Sequence, residues 1–283
     1  RKGREDIYEF HSLTAENSKK DFERVDKMQL TGGEIVVKYL VKEGVPYILG
    51  IPGHGVMGLF DAIRREEEAG NIKYIQVKHE QAATAMADGY YRMTGKPLAS
   101  FASIGPGTLN ACIGLGTAYV DSTAFIQFCG DTHVHMKGVG VLQEVEKYAD
   151  SNIIRALEPL SKRSWRVENV MQIPKILKRA FNGMDSGRIG PYSVSLPMDV
   201  QCNFADVPKE YFEKRPTLSK NCPNEADIKK AVEMLRAAKR PVILAGGGAL
   251  RARAGELIEK LAELSGAAMV TTMAGKSAVL ETH

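Results

Sequence analysis

Long apolar runs, clustered cysteines and one-sided charge are all missing from this 283-residue chain. No apolar stretch reaches the roughly 18 residues that a membrane helix needs, and the amino-terminal Arg1-Lys2-Gly3-Arg4-Glu5-Asp6 lacks the apolar core of a signal peptide. A membrane partner is therefore not expected, and the location expected is cytoplasmic. The four cysteines, Cys112, Cys129, Cys202 and Cys222, form no CxxC and no short-range pair with histidine. This excludes a disulfide framework and a structural zinc site, and leaves them as small hydrophobes; no metal ligands are assigned. The net charge is only +4, from 38 basic and 34 acidic side chains, and no basic stripe with interleaved aromatics lies beyond the amino-terminal segment, so nucleic acid is not an expected partner. The glycine-containing stretch Gly105 to Asn110 is neither a GxGxxG nor a Walker loop. What is present is an ordinary globular composition, 44% apolar and 25% charged, long enough at about 150 residues per domain for two domains.

Residues 1–28 are polar and charged without an apolar period, which predicts an arm. From Thr31 the pattern changes. Ile35, Val36, Tyr39 and Leu40 recur at helical spacing, Gly44 stops that helix, and Tyr47 to Ile51 is a short apolar strand ending in Pro52-Gly53-His54-Gly55. The unit then repeats in form: a strand over 72–77, an Ala-rich helix over 80–93 and a strand over 97–103. After it come the loop Gly105-Pro106-Gly107-Thr108-Leu109-Asn110 opening a helix through Ala118, and a strand over 124–129. A helical region over 170–181 and a strand over 190–196 follow. Strand, glycine-rich loop, helix, strand is the rhythm of an α/β fold with a doubly wound parallel sheet. The stretch 204–222, with its prolines and charges, reads as a linker. Past it the rhythm restarts with a helix over 225–238, a strand over 241–245, the turn Gly246-Gly247-Gly248, a helix ending near Leu264 and a strand over 267–272. Two strands are few for such a domain, so an incomplete second α/β domain with unburied apolar surface is expected, and with no initiating Met the chain is expected to be processed or cut.

Several residues stand where a doubly wound fold binds ligands. Glu80, in His79-Glu80-Gln81, falls at a strand end and helix start, where it either complements the helix dipole or faces a ligand. The 105–110 loop either cradles a ligand through its backbone or is a structural strand-to-helix turn, and Gly246-Gly247-Gly248 carries the same two readings. His54, His133 and His135 follow presumed strands, as acid-base groups or as solvated side chains.

Taken in order, Gly50-Ile51-Pro52-Gly53, His79-Glu80-Gln81-Ala82-Ala83, Ala87-Asp88-Gly89-Tyr90, Thr94-Gly95-Lys96, Gly105 to Asn110, Ala118-Tyr119-Val120-Asp121-Ser122 and Leu142-Gln143-Glu144 resemble the thiamine diphosphate enzymes of the acetolactate synthase group. Leu160-Ser161-Lys162-Arg163, Gly187 to Pro191, Leu196 to Gln201, Gly246 to Gly248 and Val270 to Gly275 continue the match, which covers about residues 28–283. The resemblance implies a pyrimidine-binding domain over 29–204, and over 205–283 a linker and the first part of the central domain. It also implies that a glutamate at the position of Glu80 bonds the coenzyme's aminopyrimidine ring. Pro106 and Asn110 would line that pocket, Gly53 would allow close approach of the backbone, and Gln143 would reach the reacting centre. Glu80 and Gln143 would be catalytic, together with His54, His133 and His135. His54 stands where the family usually has glycine, Leu142 where it has phenylalanine, and His133 and His135 in a loop that is ordinarily less basic. Histidines there would suit a bulkier or more polar 2-oxo acid, a diketone or an aldehyde acceptor, or serve only structure.

The resemblance further implies thiamine diphosphate as coenzyme and Mg2+ with ligands outside this chain, because the family's Gly-Asp-Gly diphosphate segment is absent. Flavin adenine dinucleotide would contact Gly246, Gly247, Gly248, Thr272 and Met273. The partner implied is a complementary chain or fragment carrying the rest of the central domain and the diphosphate domain, the reassembled unit forming a homodimer or tetramer that acts on a small molecule. The implied activity is that of a lyase or transferase cleaving a C–C bond next to a carbonyl, by 2-oxo acid decarboxylation and carboligation. A hydrolase of a cyclic or linear diketone and a non-catalytic scaffold are the alternatives.

Overall fold

The structure is a computed structural model, describing residues 26–145, 153–184, 186–213, 215–216 and 222–282. Up to residue 25 the expected arm lies outside the described residues. Contacts divide the chain into two units, Arg1–Pro216 and Thr217–His283.

The first unit runs β1 (Lys27–Thr31), α1 (Gly32–Lys42), β2 (Tyr47–Gly50), α2 (Met57–Glu68), β3 (Lys73–Gln76), α3 (Glu80–Thr94), β4 (Ala99–Ala102), α4 (Pro106–Asn110) and α5 (Cys112–Asp121). It continues with β5 (Ile126–Asp131), α6 (Ile154–Leu157), β6 (Arg163–Arg166), α7 (Ile173–Met184), β7 (Tyr192–Pro197), α8 (Met198–Cys202) and β8 (Phe204–Pro208). Six strands form one parallel sheet in the order β3-β2-β4-β5-β7-β6. β4, β5 and β7 are buried at every position, as expected of central strands covered on both faces. Helices α1, α2 and α7 pack as one group and α3, α4 and α5 as another. Tyr39, Phe101, Phe125, Phe128 and Phe181 are the largest wholly buried side chains.

Local chemistry accounts for the helix ends. Thr31 and Glu34 form a reciprocal capping box at the start of α1, with bonds of 3.2 and 2.8 Å. The Ala87-Asp88-Gly89-Tyr90 and Asp121-Ser122 motifs serve packing: Arg92 Nε donates to Asp88 at 2.9 Å and Arg92 Nη2 to Asp121 at 2.6 Å, tying α3 to the end of α5. Arg188 closes that end by donating to Ser122 Oγ and to the carbonyls of Tyr119 and Val120.

Three features differ from the sequence reading. The linker expected from Phe204 opens instead with a strand, β8, which pairs antiparallel with β1, Leu30 against Ala205 and Met28 against Val207. Asp206 and Pro208 disguise its alternation, and its partner lies far back in the chain. β6, Arg-Ser-Trp-Arg, was not expected at all; it is a polar strand at the sheet edge. The 105–110 segment is not a loop, since Gly105 caps α4 and α5 follows after Ala111.

The second unit holds α9 (Glu225–Ala237), β9 (Val242–Ala245), α10 (Gly247–Arg251), α11 (Gly255–Ser265) and β10 (Ala268–Thr271). β9 and β10 form a parallel pair. Val242, Leu244, Val270, Leu257, Leu261 and Leu264 are exposed, and no residue of α9 is buried.

Candidate active site

The chain leaves β2 outward to β3 and returns past it to β4, so the sheet has a switch point at β2. Ligands of doubly wound folds bind there, outside the carboxyl ends of the strands. Glu80 is the first residue of α3 at that end, with His79 as the cap whose Nδ1 accepts from the Gln81 amide at 3.2 Å. The positive end of the helix dipole favours a carboxylate in this place.

The return loop from β4 closes on Glu80. Asn110 Nδ2 donates to Glu80 Oε2 at 3.0 Å. Gly107 leaves open the space beside the carboxylate, because a Cβ there would lie 3.0 Å from Glu80 Oε1. Pro106 starts α4 at the exposed rim. Gly53 ends the β2 loop against Ser103, where a Cβ would come within 2.6 Å of Ser103 Oγ, and that hydroxyl accepts from the Gly55 amide at 3.3 Å.

Gln143 reaches the same neighbourhood through its backbone. Gly105 has φ +56°, and a Cβ on it would stand 2.1 Å from the Gln143 carbonyl oxygen, so only glycine lets the two loops touch. Gln143 itself has φ +63°, and its side chain is exposed. Glu144 holds this loop together by accepting from the amides of Gly138, Gly140 and Val141 at 2.6, 2.8 and 2.9 Å. Burial pushes the Glu144 carboxyl up, but those three amides outweigh it and hold the group below the usual carboxylate range.

The histidines are placed differently. His54 opens the turn after β2 with an exposed ring, and the Gly55 carbonyl of that turn presses on Gly130 at the end of β5. His133 and His135 lie side by side with ring centroids 5.5 Å apart and their planes tilted by 58°; His133 Nδ1 is buried without a hydrogen-bond partner, and His135 Nδ1 stands 3.9 Å from Asp199. Asp199 in turn accepts from the Val134 amide at 3.1 Å. Sequence reasoning missed the group beneath them. Asp131 Oδ2 accepts from Arg166 Nε at 2.7 Å and from Ser195 Oγ at 2.5 Å, and both charged side chains are buried. No local signal marks this trio, which three separate strands bring together.

Comparison with known proteins matches two stretches of the chain. The family model for the thiamine pyrophosphate enzyme N-terminal TPP binding domain fits residues 30–151, and that for the thiamine pyrophosphate enzyme central domain fits residues 228–283. The chain belongs to the thiamine pyrophosphate enzyme family.

Within this family it is 37% identical over 257 residues to the acetolactate synthase large subunit of Haemophilus influenzae, covering 88% of this chain and 43% of that one. It is 34% identical to the acetolactate synthase isozyme 3 large subunit of Escherichia coli, covering 90% and 43%. With the probable acetolactate synthase large subunit of Methanococcus aeolicus the identity is 33%, covering 90% and 41%. The chain thus spans less than half the length of these relatives. In the unit that carries the central-domain match, the parallel pairing of β9 and β10 sets Gly246-Gly247-Gly248 beside Thr272-Met273. The Gly275 amide donates to Thr272 Oγ1 at 3.1 Å, a Cβ on Gly247 would lie 3.0 Å from the Ala274 carbonyl, and Met273 is 95% exposed. Among the described residues no group of three or more His, Cys, Asp or Glu side chains could hold a metal ion, and no helix is long and apolar enough to cross a membrane.

Proposed function

We propose that this chain is the amino-terminal part of a thiamine diphosphate-dependent lyase or transferase of the acetolactate synthase type, which cleaves a C–C bond next to a carbonyl. The observation that carries the proposal is the contact of Glu80 with Asn110 beside the open space at Gly107, at the sheet's switch point. These residues suit the pyrimidine half of the coenzyme. A half-buried carboxylate at a helix start can hold a proton at a ring nitrogen, Asn110 orients it, and Gly107 and Gly53 leave room for a flat ring where any side chain would intrude. Pro106 would line the same pocket. When bound, thiamine diphosphate supplies the electron sink for the bond cleavage. Gln143, anchored through Gly105, would face the reacting end. His54, His133 and His135 would serve as acid-base groups towards the substrate, and His133 Nδ1, buried and unpartnered, is the one best suited to take a bond from it.

Among the described residues no side-chain group could hold the magnesium, so it and the coenzyme's diphosphate would be held by a complementary chain or fragment, which would also cover the exposed faces of β9 and β10. A homodimer or tetramer of that cytoplasmic assembly would be the working enzyme. Flavin adenine dinucleotide would contact Gly246, Gly247, Gly248, Thr272 and Met273. The test combines native mass spectrometry with a Glu80→Gln variant. The chain together with its complementary half should retain thiamine diphosphate, and the variant should keep its mass and fold but lose about 100-fold or more in turnover of 2-oxo acids. Failure of the assembled halves to retain the coenzyme would overturn the proposal and favour a scaffold; turnover of cyclic diketones alone would make the activity hydrolytic.

A further inference from the structure

A sizeable cleft of the first unit lies away from Glu80. α1 and α7 lead through short connections into the amino ends of β2 and β7, and the cleft sits between the end of α1, one face of α7 from Lys175 to Asn182 and the turn Lys209–Phe212. Its volume is about 790 Å³, within the range of small-molecule sites. Lys175, Lys178 and Arg179 form one wall, Tyr39 and Lys42 line it from α1, and Glu210, Glu213 and Arg215 line it from the carboxy-terminal side.

The cations of α7 have no evident structural purpose. They are spaced i, i+3 and i+4 on the exposed face of a helix that carries no carboxylate, an arrangement that costs a helix a few tenths of a kcal/mol for each like-charged pair. None lies in the last turn, where the dipole would favour it, and Lys175 lies in the first turn, where the dipole opposes it. No ion pair joins them to any carboxylate among the described residues. By contrast Lys42 and Arg215 are matched, since both bind the buried Glu43, at 3.0 and 2.7 Å. At the floor, Tyr39 is 1% exposed, and its hydroxyl has no hydrogen-bond partner of acceptable geometry. Burial, and then the charge of Glu43, keep that phenol protonated and hence a donor. Glu43 is the acceptor close to that hydroxyl and is already engaged by Lys42 and Arg215, and the three uncompensated cations on one wall call for an anion.

We propose that this cleft binds a small ligand bearing two or more phosphate charges, with Lys175, Lys178 and Arg179 on the phosphates and the Tyr39 hydroxyl donating into it. Glu210 and Glu213 opposite confine the charge to the α7 side. The ligand's source is either inorganic pyrophosphate or a nucleoside diphosphate. The site is independent of the coenzyme reading, because none of its residues touches Glu80 or its partners.

Titration calorimetry of the full chain with pyrophosphate, and separately with ADP, tests the proposal. Saturable one-site binding is expected. It should weaken at least about tenfold in Lys178→Glu/Arg179→Glu and about threefold in Tyr39→Phe, with circular dichroism unchanged in both. ADP binding more tightly than pyrophosphate would identify a nucleoside ligand, and equal affinities a bare phosphate one. Absence of saturable binding, or undiminished affinity in the charge-reversed variant, would overturn it. A Glu80→Gln control should bind as the parent does, which separates this site from the one at the switch point.

Discussion

Two residues show how narrow the tolerances are at the candidate site. Gly105 turns the chain from β4 into α4 with φ +56° and ψ −105°, and the Gln143 carbonyl fills the space where a Cβ would stand. Gly105→Ala should therefore destabilise the first unit by about 2 kcal/mol or more, measured by urea unfolding, and displace the Gln143 loop. Glu144 fastens that loop from the other side. Its folded carboxyl is held below its ordinary value, so the stability it contributes is present above that ordinary value and is lost as the pH falls through the lower, folded one. Hydrogen exchange at Gly138, Gly140 and Val141 should accordingly accelerate as the pH drops below about 4.5, once corrected for intrinsic rates, and Glu144→Gln should show the acceleration already at neutral pH. Equal protection in the variant would show that the loop is held by something else. The position of Glu80 at a helix start was legible because a charged residue between a strand and a helix is a local pattern. Glu144 was legible only as part of a motif, since the three amides it gathers are a matter of loop shape.

Among the elements, the short helix α8 locks the unit. Gln201 is wholly buried, donates to the carbonyls of Gly55 at 2.8 Å and Leu196 at 2.7 Å, and accepts from the Leu59 amide at 3.0 Å. One side chain thus binds the turn that carries His54, the end of β7 and the start of α2. Gln201→Ala should cost about 3 kcal/mol in urea unfolding, because three backbone groups lose a partner in a dry site. A cost near that of an exposed substitution would mean that water replaces the amide. α8 leads directly into β8, whose pairing with β1 joins residues more than 170 positions apart and brings the chain back beside its own beginning. A linker-like composition concealed that strand; buried Ala205 and Val207, alternating with exposed Phe204 and Asp206, make it one.

At the scale of the molecule the two units differ in how much they bury. The first holds a continuous core of aromatic and branched side chains, whereas in the second Ala245, Ala262 and Ala278 are the buried apolar residues among those described. Burial of apolar area is the main favourable term of folding, so the second unit should open at a far lower free energy than the first. Limited proteolysis followed by mass spectrometry should leave a resistant fragment ending near Pro216, with cuts in the unit after Thr217. Equal resistance of both units would refute that difference.

The sequence by itself determined the alternation of strand, glycine turn and helix, the candidate carboxylate at a helix start and the order of motifs that marks the family. All of these are properties of neighbouring residues: side-chain period, backbone freedom at glycine, charge beside a helix end. Only the tertiary structure decided that β8 completes the first unit and that a polar edge strand carries Arg166 to Asp131 and Ser195. It also decided that Glu144 folds back on its own loop, and that Lys175, Lys178 and Arg179 face Tyr39 across a cleft. Each of these joins groups by through-space hydrogen bonding or charge, and the distance between two residues in space is set by how strands and helices pack, which no local pattern encodes.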